Sequence, residues 1–235
     1  MNLSIKRVNA IFQKDFKDFS RNLAVSMVIF LPLFMAAVYS RMGVDTLNAH
    51  YMIFNMTFAL IATYVQCCLI AEEKEKNTLR GLMLSPASTG EILGGKSLLS
   101  FVLTMIILLA SALLAEYKPA NIGIIALALV VSSFFYIGVG TLLGLWARSV
   151  MESSLIVLPV LGIFSFGSFA LPFAEKYPIL EVLNYFPNSQ LIEIAVKVEE
   201  GLGFGAVWSH FAIIIVWILA IAALTVVVYR KRMVD

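Results

Sequence analysis

The sequence predicts an all-α polytopic membrane protein with six transmembrane helices, and three observations carry that prediction. Of its 235 residues, 60% are hydrophobic and 14% charged, with a mean hydropathy of +0.91; a soluble domain is about 45–50% apolar and about 25% charged. A chain of this size leaves too much surface facing water to hide that excess in one core, which excludes an ordinary soluble enzyme. The apolar residues gather into charge-free runs near the roughly 20 residues that a spanning helix needs. The basic residues, finally, fall mostly into one of the two sets of connections between those runs.

The elements follow in order. Residues 1–22 lack the apolar stretch and small-residue cleavage site of a signal peptide. Ile11, Phe12, Asp15, Phe16 and Phe19 lie near one helical face there, with Lys14, Lys17 and Arg21 around them. That is the pattern of an interfacial amphipathic helix resting on anionic membrane lipids through Phe12, Phe16 and Phe19. The spans are expected at about 23–40, 51–71, 97–115, 121–147, 153–171 and 206–229. The fourth run begins at Pro119, so its helix should start near Asn121. The fifth ends in GIFSFGSFALPF, so a bend or break is expected before Pro172. Residues 172–205 form an extracellular segment in which Asn188 can cap a helix with Leu191, Ile194, Ala195 and Val198 on its apolar face. The water-facing pieces are too short for independent domains, so residues 1–235 read as a single transmembrane domain.

Orientation comes from the charges. Connections 1–22, 72–96, 148–152 and 230–235 hold 13 of the 17 Lys and Arg residues, whereas 41–50, 116–118 and 175–205 hold four (Arg41, Lys118, Lys176 and Lys197). The positive-inside rule then puts both termini in the cytoplasm of a plasma-membrane protein. The net charge of +2 implies no nucleic-acid partner. Cys67 and Cys68 are adjacent in an apolar run, which excludes a disulfide scaffold or a zinc site.

Gly90–Ser97 (GEILGGKS) matches the phosphate-binding pattern G-x-x-x-x-G-K-[ST]. A true phosphate loop follows a buried strand and opens a helix. Here LMLSPASTGE precedes the motif and a membrane span follows it, so the match reads as coincidence. Gly140-x-x-x-Gly144 reads as close helix packing. No Asp, Glu, Lys or Arg falls within the spans as drawn, which argues against a proton-coupled carrier. His210, near the outer end of the last span, reads as an interface residue. No catalytic or metal constellation is present in the sequence pattern, so no cofactor is expected in this chain.

The connection 72–96 is the most informative stretch. Glu72/Lys76 and Glu73/Lys76 stand at helical spacing and favour a helix extending from the membrane. Leu79, Leu82 and Met83 form an apolar stripe at i, i+3, i+4. Ser85-Pro86 breaks the helix, and Ser88 with Glu91 forms a capping box for the next. The result is a helix, a sharp turn and a second helix, with an apolar stripe suited to docking.

In this segment the chain resembles the permease subunits of ABC-2 type exporters. The matching features are the mixed-charge run Glu72-Glu73-Lys74-Glu75-Lys76, Thr78-Leu79, the turn Ser85-Pro86, Glu91-Ile92-Leu93 and Gly95-Lys96. Asn77 and Arg80 depart from the Gly and Glu usual there. The resemblance implies a cytoplasmic coupling helix that contacts a separate ATP-binding subunit through Glu72, Glu75, Thr78, Leu79, Leu82, Met83, Pro86 and Glu91. It also implies short re-entrant helices before the last span and a bacterial plasma membrane. Two ATP-binding subunits holding ATP and Mg, and a second permease copy or paralogue, would complete the assembly. The apolar spans suit a hydrophobic or amphipathic cargo such as a drug, antimicrobial peptide or lipid-like molecule. A sensor or immunity protein that binds a toxic peptide without transport, and a sodium-exporting permease, stand as alternatives.

Overall fold

The structure, a computed structural model, describes residues 5–76, 78, 89–173 and 176–232, and all regular structure among them is helical. Helix α1 (Ile5–Arg21) is followed by α2 (Leu23–Arg41), α3 (Leu47–Glu75), α4 (Thr89–Leu114), α5 (Ile122–Trp146), α6 (Val150–Phe166), α7 (Pro187–Glu199) and α8 (Phe204–Arg232). Two 3-10 segments, Gly167–Phe173 and Pro178–Tyr185, link α6 to α7.

Among the described residues, five helices are long and apolar enough to cross a membrane: α2, α3, Glu91–Leu114 of α4, α5 and Phe204–Tyr229 of α8. The fifth expected span, 153–171, is not one continuous α-helix. Helix α6 has 17 residues and tightens into the 3-10 segment at Gly167. The tighter winding starts at Gly167, and Pro172 within it has no N–H with which to resume an α-helix.

The helix ends show why each begins where it does. Asn121 opens α5, its side-chain oxygen accepting from Gly123 N at 3.1 Å and Ile124 N at 3.2 Å. Ser149 caps α6 by accepting from Glu152 N at 3.2 Å. Asn188, by contrast, does not cap α7. Pro187 occupies the first turn and Phe186 is the boundary residue, because proline is pre-set for the first helical position. Asn188 therefore lies inside the helix and is buried. The expected apolar face of α7 does pack inward: Leu191, Ile194, Ala195 and Val198 join a core with Tyr51, Phe54, Tyr136 and Phe211.

Contacts at the helix ends define two poles. At one, α1 meets the end of α3 and the start of α4, and Ile70, Leu145 and Tyr229 cluster at the ends of α3, α5 and α8. At the other, Tyr51 near the start of α3 faces Tyr117 just beyond α4, their hydroxyls 3.3 Å apart. There Glu199, at the end of α7, accepts from Ala120 N just before α5. Helices α3, α4 and α5 thus alternate in direction, whereas α5 and α8 both end at the first pole.

Helix α3 is the axis of the bundle and lies inside it over its whole apolar window, whereas α2 and α8 turn most of their surface outward. Its middle, Phe58–Val65, is wound as a π-helix. There Phe58 stacks on Tyr136 of α5 at 4.8 Å, and Thr63 Oγ1 donates to Tyr136 O at 3.0 Å. Apolar lipid gives helices no hydrophobic reason to associate, so small residues that permit close backbone approach matter more. Gly140 and Gly144 of α5 supply that approach: a Cβ at 140 would lie 2.5 Å from Thr63 O, and one at 144 would lie 2.9 Å from Cys67 O. Gly140→Ala should therefore cost about 1–3 kcal/mol, the usual range for an overpacked contact. Gly162→Ala, where a Cβ meets nothing within 4 Å, should cost nothing measurable. Thermal unfolding of the two detergent-solubilised variants checks this contrast.

Candidate coupling site

Charged residues do enter the packed interior, at the pole where α1 lies. Helix α1 faces the bundle with Val8, Ile11, Phe12, Asp15 and Phe19. A carboxylate in the middle of that apolar stripe demands a cation, because an unpaired buried charge costs several kcal/mol. Lys96 of α4 provides it. Asp15 and Lys96 are 2% and 1% exposed, and Lys96 Nζ donates to Asp15 Oδ1 at 3.1 Å and Oδ2 at 3.3 Å. The same ammonium donates to Glu73 Oε1 of α3 at 3.0 Å. Glu73, 3% exposed, also accepts from Lys14 Nζ and Thr78 Oγ1. Two carboxylates and two ammoniums so balance in charge. Burial nevertheless pushes the Asp15 carboxyl above its ordinary pKa, against the pull of Lys96 and Lys14.

The helices approach closely enough for this because α4 carries a glycine at the crossing. A Cβ at Gly95 would fall 2.9 Å from Ile11 Cβ and 3.3 Å from Val8 O of α1. A second ion pair, Arg7 to Glu91 at 3.2 Å, closes the same seam one turn earlier, and Glu91 is buried. One turn deeper, the Gln66 amide of α3 donates to Thr141 Oγ1 of α5 at 3.0 Å and to Ser97 Oγ of α4 at 3.3 Å. It accepts from Ser100 Oγ at 2.7 Å. Three spans are thereby tied together by one fully buried side chain.

The end of α3 distributes its charges in four directions. Glu72 pairs with Lys76 at 2.6 Å, and Glu73 takes Lys96 and Lys14. Lys74 donates to Leu145 O at 2.8 Å and to Ala147 O at the end of α5, where a cation suits the helix dipole. Glu75 accepts from Val150 N at 3.0 Å at the start of α6, where an anion does. A cleft of about 190 Å³ between α1 and α3, lined by Asp18, Leu69 and Thr78 among others, opens beside this network.

The sequence-predicted residues divide accordingly. Glu72, Glu75, Thr78 and Glu91 belong to this network or border it, while Leu79, Leu82, Met83 and Pro86 lie outside the described residues, as do Arg80, Ser85 and Ser88. Of the aromatic trio on α1, Phe19 is buried and Phe12 half-buried against the bundle, whereas Phe16 is 51% exposed and points away from it. Glu73 does not pair with Lys76 as helical spacing suggested, because the buried Lys96 needs it. Asp15, Lys14 and Lys96 carry the site without having been singled out for it. The telling signal was Asp15 at helical spacing between Ile11 and Phe19. His210, at the opposite pole, bonds through Nδ1 to Gln190 Oε1 at 2.7 Å.

The phosphate-loop resemblance of Gly90–Ser97 dissolves here. The motif lies within one helix, its glycine accommodates α1, and its lysine pairs with two carboxylates. Among the described residues no group of three or more metal-ligating side chains occurs, and Cys67 and Cys68 are free and buried.

Fold and site together define a multi-pass helical membrane protein whose ionic network ties an amphipathic N-terminal helix to its spans. The profile of the ABC-2 family transporter protein matches residues 8–229, nearly the whole chain, and the protein belongs to that family. As a member of it, the chain is a membrane component of a transport system. A search of curated proteins returned no match.

Removing the shared cation is the sharpest perturbation of the site. Lys96→Met should destabilise the protein by about 3–5 kcal/mol, since it strands buried carboxylates. Adding Asp15→Asn to it should recover part of the loss. Unfolding midpoints of the single and double variants test the pairing.

Proposed function

We propose that this chain is the permease subunit of an ATP-driven exporter, moving a hydrophobic or amphipathic cargo outward with ATP hydrolysed by a separate subunit. Two ATP-binding subunits, holding ATP and Mg, would serve a pair of permeases formed by a second copy or a paralogue. In this reading the pole bearing α1 is cytoplasmic, as the 13 basic residues in its connections favour, and the membrane is a bacterial plasma membrane. Helix α6 starts at that pole and α8 starts at the other, so α6 with its 3-10 continuation makes the sixth crossing.

One observation carries the proposal: the buried Lys96 joins α1, α3 and α4 through Asp15 and Glu73. The segment 77–88, which holds Leu79, Leu82, Met83 and Pro86, is the connection between α3 and α4. A push on it from a closing ATPase dimer would reach Glu73 and Lys96 directly. Because a packed, charge-matched cluster is not continuously deformable, α1 and the ends of α3 and α4 would then shift as a unit. Lys74 and Glu75 would pass the displacement to α5 and α6.

The experiment changes Leu79 and Leu82 to Asp in the full chain. Recovery of the ATP-binding subunit on co-purification and cargo export should both fall at least about tenfold, equivalent to about 1.4 kcal/mol of docking free energy. Membrane insertion should persist. Failure of the unaltered protein to bring down any ATP-binding subunit would favour a sensor or immunity protein instead.

A further inference from the structure

A groove of about 640 Å³ runs along the outside of the bundle between α4, α5 and α8, at the α1 end. Its volume falls in the range of small-molecule sites, about 300–1,000 Å³. The walls are Leu98 and Phe101 of α4, Phe134 and Ile137 of α5, and Ile218 and Val226 of α8, with the Phe101 and Phe134 rings stacked at 5.5 Å. All three helices are long and apolar enough to span a membrane. Three hydroxyls line the groove, and each is already engaged. Thr141 donates to Ile137 O at 2.9 Å, Thr225 donates to Ile221 O at 2.8 Å, and Ser97 accepts from Gln66. The groove thus asks for an occupant that needs no hydrogen bond along its length.

The open end asks for something different. Leu93 and Gly94 form it on α4, one turn past Glu91, where Arg7 and hence the first turn of α1 are held. On α8 the sequence reaches Arg230, Lys231 and Arg232 one turn beyond Val226. Three consecutive basic residues therefore lie on the last described turn of α8 at this end. An apolar slot with a basic mouth matches a ligand with a long hydrocarbon tail and an anionic head. Basic pockets between membrane helices bind anionic lipid headgroups in this way.

We propose that the groove binds one acyl chain of an anionic glycerophospholipid, its phosphate lying at the basic mouth. The site rests on the groove and the basic end of α8 and is independent of the exporter reading. The test reconstitutes the full chain in vesicles of equal phosphatidylglycerol and phosphatidylcholine, extracts it in detergent and measures retained lipid by native mass spectrometry. The wild type should retain phosphatidylglycerol enriched about tenfold or more over phosphatidylcholine. Gly94→Leu should abolish retention, since a Cβ there meets nothing within 4 Å and leucine favours helix over glycine. Val226→Trp should narrow the groove from its other wall with the same result, should Gly94→Leu fail to fold. Replacing Arg230, Lys231 and Arg232 with Gln should keep lipid bound but erase the headgroup preference. Equal retention by folded Gly94→Leu, no headgroup preference in the wild type, or a lipid-free dimer that Gly94→Leu dissociates would each overturn the proposal.

Discussion

A single buried ammonium, Lys96, is the constraint around which this end of the protein is organised. Its two carboxylate partners come from different elements, Asp15 from α1 and Glu73 from α3. Withdrawing either charge from water is unfavourable unless the cation is in place, so the three helices are mutually conditional. The geometry leaves little slack. Gly95 brings α1 against the backbone of α4, and the Arg7–Glu91 pair fixes the rotation of α1 about its own axis. An N-terminal helix whose exposed residues alone suggest a loosely resting float is in fact keyed into the bundle. Phe16 still faces outward, so α1 presents one face to the protein and another to its surroundings.

The layout of spans was legible because hydropathy sums over about twenty residues and tolerates local irregularity. Helix starts were legible where a side chain such as Asn121 can satisfy the free N–H groups. Asn188 misled because the neighbouring Pro187 suits the first helical turn better than Asn suits the cap. The break expected in the fifth span before Pro172 occurs at Gly167, but composition cannot distinguish α from 3-10 winding. Gly140 and Gly144 were read correctly as a packing face, since close approach is the physical use of such spacing.

The site was less legible, for reasons of distance along the chain. Lys96 finds partners 81 and 23 residues away, and no local rule brings them together. Helical spacing assigned Glu73 to Lys76, but an exposed pair at i, i+3 contributes only a few tenths of a kcal/mol. A buried ammonium that would otherwise be stranded outweighs it. The motif around Lys96 also drew attention to phosphate, when its glycine and lysine serve a helix crossing. Asp15 was the one residue whose placement on an apolar face asked the right question. Membership in the ABC-2 family, matched over residues 8–229, agrees with the layout read from the spans.

Helix α6 differs mechanically from its neighbours. Pro159 interrupts its ladder of backbone hydrogen bonds, and the 3-10 segment that continues it has poorer hydrogen-bond geometry than an α-helix. The exposed α2 carries only a single 3-10 turn, Met27–Ile29, and α3 is clamped on every side. Bending stiffness is therefore unevenly distributed around the bundle, and α6 with its 3-10 continuation is its compliant wall. A passage that requires one side of the bundle to give way would meet less elastic resistance there than along the buried α3.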